Sequence, residues 1–151
     1  MTKKVPTSID QVTEETAQQV ADMMNRLTAE TKAICHEITH GSLEAEYNAL
    51  MIMALADRFR TITYSDGRVA GFYNYHEYAV NTLRLRNIFV LPAFRRRGLG
   101  TMMVNDLIHT CRANPQYDGI ELGVSEKNPD AMNWYDRLGF RVNSREMVLK
   151  I

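Results

Sequence analysis

Apolar and polar residues follow two rhythms along this chain, and the switch between them divides it. The first third is helical in spacing. Ala17, Val20, Ala21, Met24 and Leu27 recur at three- and four-residue steps behind a cap at Thr13, which predicts an amphipathic helix. Lys32–Ile38 allows a short helix, and Gly41 and Ser42 break it. Leu43, Tyr47, Leu50, Met51 and Ala54 predict another, with Met51 and Met53 as core filler. Residues 1–8 read as a short strand or a loose arm.

The middle turns to strands. Thr61–Tyr64 is β-prone, Ser65-Asp66-Gly67-Arg68 is a turn, and Val69–Val80 is a long strand rich in Tyr and Phe. A second turn at Asn81-Thr82 leads into Leu83–Leu91, which Pro92 ends. These segments predict an antiparallel meander. Helix and strand then alternate: a helix over Thr101–Cys111, a strand over Gly119–Val124, a helix from Pro129 to Leu138 stopped by Gly139, and a last strand over Arg145–Ile151. That alternation predicts a parallel crossover and hence a mixed sheet.

Composition narrows the class. The 151 residues suit one domain spanning 1–151, with 45% hydrophobic and 24% charged residues. Formal net charge is zero, which argues against a dedicated nucleic-acid-binding domain. Cys35 and Cys111 make neither a disulfide framework nor a metal set, and His36, His40, His76 and His109 lie in no metal-binding motif, so no metal is expected. No apolar run reaches membrane-spanning length, and Lys3, Lys4 and Pro6 open no signal peptide. A cytoplasmic protein without membrane contact is expected.

One stretch carries chemistry. Arg95-Arg96-Arg97-Gly98-Leu99-Gly100 joins a strand to a helix. The first backbone N–H groups of a helix lack intrahelical partners and its dipole is positive there, so a glycine-rich turn opening a helix suits an anion such as phosphate. The nucleotide motifs do not fit: no lysine follows the turn, and Gly98-x-Gly100 lacks the third glycine of a dinucleotide fingerprint.

A second motif lies downstream, Asn128-Pro129-Asp130-Ala131-Met132-Asn133-Trp134-Tyr135 followed by Leu138-Gly139-Phe140. With Ile88-Phe89-Val90-Leu91-Pro92 running into Arg95-x-x-Gly98-x-Gly100, it makes the chain resemble the GNAT superfamily of N-acetyltransferases. The first motif matches that family's acyl-CoA turn, Q/R-x-x-G-x-G/A, and the second its N-x-x-A-x-x-x-Y-x-x-x-G-F pattern. The match covers roughly residues 60–151.

The resemblance implies an α/β (α+β) fold, a central mixed, mostly antiparallel twisted sheet flanked by about four helices. It implies transfer of an acetyl group from acetyl-CoA, as co-substrate, to a primary amine of a small molecule or peptide. A non-catalytic acyl-CoA-binding domain of the same fold is the alternative, and the presence of Tyr135 speaks against it. Homodimers are common in the family. The implied coenzyme site comprises Ile88, Phe89 and Val90 along the pantetheine arm, a backbone N–H near Phe89 or Val90 for the oxyanion, and Arg95, Arg96, Arg97, Gly98, Leu99, Gly100 and Thr101 around the pyrophosphate, with main-chain amides from Arg96 to Thr101 in the lead. Asn128 contacts the arm while capping its helix, and Tyr135 protonates the leaving thiolate.

The amine must also lose a proton, since about 0.04% of a lysine-like amine is neutral at pH 7. The fourth strand offers Arg84, Arg86 and Asn87 but no acid. Glu121, interrupting the apolar run of the next strand, is the foremost candidate base, with Glu77 and His76 at the end of the third strand as others. The acceptor site is expected from residues 28–42 together with Tyr73, Tyr75 and Tyr78.

Overall fold

The structure, a computed structural model, describes residues 7–35, 46–147 and Leu149, the side chains of residues 33–35 excepted. Strand β1 (Thr7–Gln11) is followed by helix α1 (Glu14–Cys35) and a short helix α2 (Ala49–Ala54). The strands β2 (Phe59–Tyr64), β3 (Val69–Ala79) and β4 (Thr82–Val90) come next, then α3 (Leu99–Arg112), β5 (Gly119–Leu122) and α4 (Pro129–Arg137). They form one five-stranded sheet in the order β1-β2-β3-β4-β5. The first three pairings are antiparallel and β4 with β5 is parallel, α3 providing the crossover. This is the expected mixed sheet with four helices.

Thr13 starts α1 as the sequence indicates: its N–H donates to Thr16 Oγ1 and its carbonyl accepts from Ala17. The inward stripe of α1 (Ala17, Val20, Ala21, Met23, Met24) joins Ile52, Phe59, Val69, Phe72 and Phe89 on one face of the sheet. On the other face Leu99, Met103, Leu107 and Cys111 of α3 close over Ile62, Tyr73, Tyr75, Leu83 and Leu85. Alternation along each strand sends successive residues to opposite cores.

Three expectations shift. The helix predicted over Leu43–Ala54 is described from Ala49 onward and turns a different face inward. Ile52 is buried, whereas Leu50 and Met51 are exposed; Met51 is therefore not core filler. The short helix at Lys32–Ile38 is, as far as it is described, the continuation of α1 to Cys35; residues 36–45, with Gly41 and Ser42, lie outside the described residues. Of the strand predicted over Arg145–Ile151, Arg145, Glu146, Met147 and Leu149 are in no strand, and Val148, Lys150 and Ile151 lie outside the described residues. No helix among the described residues is long and apolar enough to cross a membrane.

Candidate active site

Strands β4 and β5 part company midway. Their parallel register runs from Thr82↔Gly119 to Leu85↔Leu122, where β5 ends. Strand β4 continues against β3 as far as Gly71↔Val90. Between these, a bulge at Arg86 sits where Tyr75↔Leu85 gives way to Asn74↔Asn87. Among the described residues no strand pairs with the open edge of β4 over residues 86–90. That edge offers main-chain donors and acceptors to an extended, amide-bearing ligand, in the manner of an added strand. One carbonyl on this stretch, Val90 O, is taken by Arg95 Nε at 2.8 Å.

The edge leads straight into the arginine–glycine turn. Pro92–Phe94 makes a single 3₁₀ turn, Arg95 is extended, Arg96 is left-handed at φ 65° and Gly98 at φ 78°, and α3 opens at Leu99. A non-glycine residue with positive φ is uncommon, and left-handed residues just before a helix turn successive N–H groups toward one concavity, a nest for an anion. A Cβ added at Gly98 meets nothing within 4 Å, so Gly98 is required by its φ and not by crowding. At Gly100 a Cβ lies 3.1 Å from Trp134 Cζ2, so this glycine lets the indole of α4 lie against the first turn of α3.

Strand edge, turn and helix end line one cleft of about 510 Å³. Its walls are Leu27 and Glu30 of α1, Ile88, Phe89 and Val90, then Phe94, Arg95, Arg96, Gly98, Leu99, Gly100 and Thr101, with Asp130, Ala131 and Trp134 of α4. Ile88 and Val90 also pack against the α3-side core, so they serve both cleft and core.

The three arginines do different work. Arg95 is tied back, bonding Val90 O, meeting Glu30 Oε2 at 3.3 Å and lying over the Phe89 ring. Arg97 turns toward β2: its Nη1 donates to the Tyr64 hydroxyl at 3.2 Å and it stacks on Phe94, with Arg68 over the same two rings. It does not line the cleft. Arg96 is exposed, lines the cleft and has no ion-pair or hydrogen-bond partner among the described residues.

Helix α4 forms the opposite lip. Asn128 Oδ1 accepts from the Ala131 N–H at 3.3 Å, capping the helix ahead of Pro129. Tyr135 is half-buried between Trp134, 4.9 Å away, and Phe140, 5.7 Å away, and Gly139 at φ 101° turns the chain to bring Phe140 there. Burial alone pushes the Tyr135 hydroxyl up to about 12. Asn128 and Tyr135 flank the lining residues of α4 without lining the cleft themselves.

An open β edge thus runs into a left-handed turn at the start of α3 and is faced by an Asn-capped helix that carries a half-buried tyrosine. A family model described as the acetyltransferase (GNAT) family matches residues 21–140. The chain belongs to this family.

This GNAT acetyltransferase is 30% identical to the glucosamine 6-phosphate N-acetyltransferase of Trypanosoma brucei brucei, over 132 residues that make 87% of the chain and 73% of that protein. It is 30% identical to N-alpha-acetyltransferase 50 of Danio rerio over 67 residues, 44% of the chain and 40% of that protein. Its fold matches the PaiA N-acetyltransferase of Thermoplasma acidophilum, solved in complex with coenzyme A, with a TM-score of 0.76 over 93% of each chain; at 15% identity that likeness is one of fold. The protein is an acetyl-CoA-dependent acyltransferase acting on amines.

The remaining predicted residues of the acetyltransferase are not gathered in the cleft. Glu121 stands on β5 opposite Arg84, whose Nη1 donates to it at 3.0 Å. Glu77 is held by Arg58 Nη2 at 2.6 and 2.8 Å and by the Tyr117 hydroxyl at 3.3 Å. Tyr73 and Tyr75 do not line an acceptor site. Both are buried under α3, where the Tyr73 hydroxyl donates to Asp106 Oδ2 at 2.6 Å; its own ionisation is pushed far up, first by burial and then by that carboxylate. Tyr78 is exposed, with the Arg84 guanidinium over its ring. Leu27, Phe94, Asp130, Ala131 and Trp134 line the cleft without having been assigned to the site from sequence, and Glu30 belongs to the 28–42 segment expected at the acceptor site. Leu27 and Glu30 carry no motif and reach the cleft only because α1 crosses the sheet there.

Proposed function

We propose that the open edge of β4 and the turn after it hold acetyl-CoA in a single extended pose. The pantetheine arm pairs with main-chain groups of Ile88, Phe89 and Val90. The pyrophosphate sits on the amides from Arg96 to Thr101, with the exposed Arg96 guanidinium as counter-charge. Arg95 and Arg97 shape the turn and add a weaker, screened attraction. The observation that carries this reading is continuity: the unpaired edge ends where the two left-handed residues and the N-terminus of α3 begin. Those features fit an extended ligand that bears amides at one end and phosphates at the other.

In this pose the reacting thioester lies toward the start of the open edge, near the end of β5. A main-chain N–H of β4 stabilises the developing oxyanion there. Tyr135 supplies a proton to the departing thiolate, Asn128 steadies the arm, and the raised ionisation of Tyr135 keeps its proton in place at neutral pH. A primary amine is the acceptor. An aminosugar phosphate is the first acceptor to try, since the relative matched over most of the chain is named for one.

Acetyl-CoA at a hundred times its Kd is expected to stabilise the protein by about 2.7 kcal/mol, roughly 5–10 °C in Tm for a chain of this size. Gly98→Asp puts a carboxylate into the anion nest at a position with open space around it. The left-handed φ of 78° should lower its Tm without ligand by a few degrees while leaving it folded, and the acetyl-CoA shift should vanish. A retained shift would place the phosphates elsewhere.

A further inference from the structure

The acyl donor has a site, but the base that frees the amine does not, and the face of the sheet turned away from α3 supplies one. Leu83, Leu85, Tyr73 and Tyr75 point into the α3-side core, and Ile120 and Leu122 pack against it. The residues between them therefore face the other way: Asn74 and His76 on β3, Arg84 on β4 and Glu121 on β5. Asn87 joins them, its Nδ2 donating to Asn74 Oδ1 at 3.0 Å. This polar group straddles the fork. His76 pairs with Arg84, one strand pair before β5 ends, and Asn74 pairs with Asn87, the first pair beyond it. The two pairs are about 7 Å apart along β3.

Among the described residues, three side chains near this fork are able to take a proton: His76 and Glu121 on this face, and Glu77 beside His76 on β3; the two carboxylates are already engaged. Glu121 is bonded by Arg84, and Glu77 by Arg58 and Tyr117. Among the described residues His76 alone has a ring nitrogen, Nδ1, that is buried without a hydrogen-bond partner, while its ring stands edge-on to Tyr78 at 6.1 Å. We infer that His76 is the general base of the acetyl transfer, receiving the proton of the acceptor ammonium at the β4–β5 fork, directly or through one water. This inference rests on the coenzyme pose proposed above.

The charges around His76 keep it ready for that task. Burial comes first, then the guanidiniums of Arg86 and Arg84 on β4, and finally Arg58, all disfavouring its proton; Glu77 beside it favours the proton, and Glu121 on β5 is turned to Arg84. The imidazole is thus neutral at pH 7 and able to accept. The ammonium gives one proton to the imidazole and becomes an amine. The amine nitrogen then bonds to the thioester carbon, and the C–S bond breaks. The thiolate takes the Tyr135 proton, and the tyrosine is restored by the second proton shed from nitrogen. The imidazolium returns its proton to water, leaving an amide, a thiol and one released proton.

The test uses His76→Gln, with Glu121→Gln beside it, and follows thiol release from acetyl-CoA. Acceptors are glucosamine 6-phosphate, spermidine, a tetrapeptide with a free N-terminus, and hydroxylamine, whose nitrogen is largely neutral at pH 7 and needs no base. His76→Gln is expected to lower kcat/KM for the ammonium acceptors about 100-fold or more and to remove the acidic limb of the pH profile. Hydroxylamine acetylation and the acetyl-CoA Tm shift should be unchanged, and Glu121→Gln should keep the limb. In the wild-type protein, the His76 Cε1 proton resonance should titrate below the ordinary histidine value. A wild-type profile in His76→Gln, loss of hydroxylamine acetylation with it, loss of the limb in Glu121→Gln, or a His76 charged at pH 7 would overturn the assignment. Absence of any acetyl-CoA shift or of thiol release with every amine in the wild-type protein would instead overturn the coenzyme reading, and the base with it.

Discussion

Arg96 is where backbone strain and the proposed ligand contact meet in one residue. Its φ of 65° is costly for a residue with a Cβ, of the order of 1–2 kcal/mol. Arg96→Gly should therefore raise stability by up to about 1 kcal/mol in denaturant unfolding, after the added entropy of the unfolded glycine is set against it. The same change removes a cleft cation that has no partner among the described residues, so acetyl-CoA binding should weaken and depend less steeply on salt when titrated at two ionic strengths. Stability and affinity moving in opposite directions would mark the strain as serving the ligand. Tyr135 is the second informative residue. Tyr135→Phe keeps the ring against Trp134 and Phe140 and removes only the hydroxyl. Steady-state kinetics should show kcat reduced roughly 100-fold with the KM for acetyl-CoA little changed. The parent rate should hold past pH 10, the ordinary tyrosine value, and fall only as pH approaches about 12.

At the scale of elements, the proposed coenzyme pose depends on the fork between β4 and β5. Strand β5 is four residues long and ends at Leu122, and the β4 bulge at Arg86 follows at once. One strand is short and its neighbour is long, which leaves a row of main-chain groups for a ligand. Helix α4 then holds the opposite lip through a single cap. Asn128→Ala removes the acceptor for the Ala131 N–H and should cost about 1 kcal/mol in urea unfolding. Under the proposed contact with the coenzyme arm, it should also raise the KM for acetyl-CoA. A loss of stability with an unchanged KM would leave Asn128 as a cap alone.

For the whole molecule, groups that hold their protons differently folded and unfolded bend stability at both ends of the pH scale. Tyr73 and Tyr135 keep their protons more tightly folded than unfolded. Above pH 10 the unfolded chain loses those protons first, so stability is intact below that pH and declines as it rises further. His76 binds its proton less well when folded, so the unfolded chain takes that proton up first, and stability declines as pH falls below 6.5. Tm measured across pH should show both slopes. Tyr73→Phe should flatten the alkaline one, while losing some Tm at neutral pH from the Asp106 bond.

Much of this was readable from local pattern. The helical stripe of α1, the three meander strands, the glycine turn, the Asn–Pro start of α4 and its Gly139 stop are each written within a few residues, because caps, turns and periodicity depend on near neighbours. The two motifs named the family for the same reason: each is a short run whose residue types and spacing are written locally. What stayed hidden joins residues distant in the chain. Arg95, Arg96 and Arg97 look alike in sequence, yet Glu30 and Phe89 claim the first, and Tyr64 and Phe94 the third. Tyr73 looks like a site residue until α3 covers it, and Glu121 looks like a free carboxylate until the parallel register sets Arg84 beside it. Side chains acquire such partners only when strands choose register and helices choose a face, and burial and long-range pairing then decide which charges remain free for chemistry.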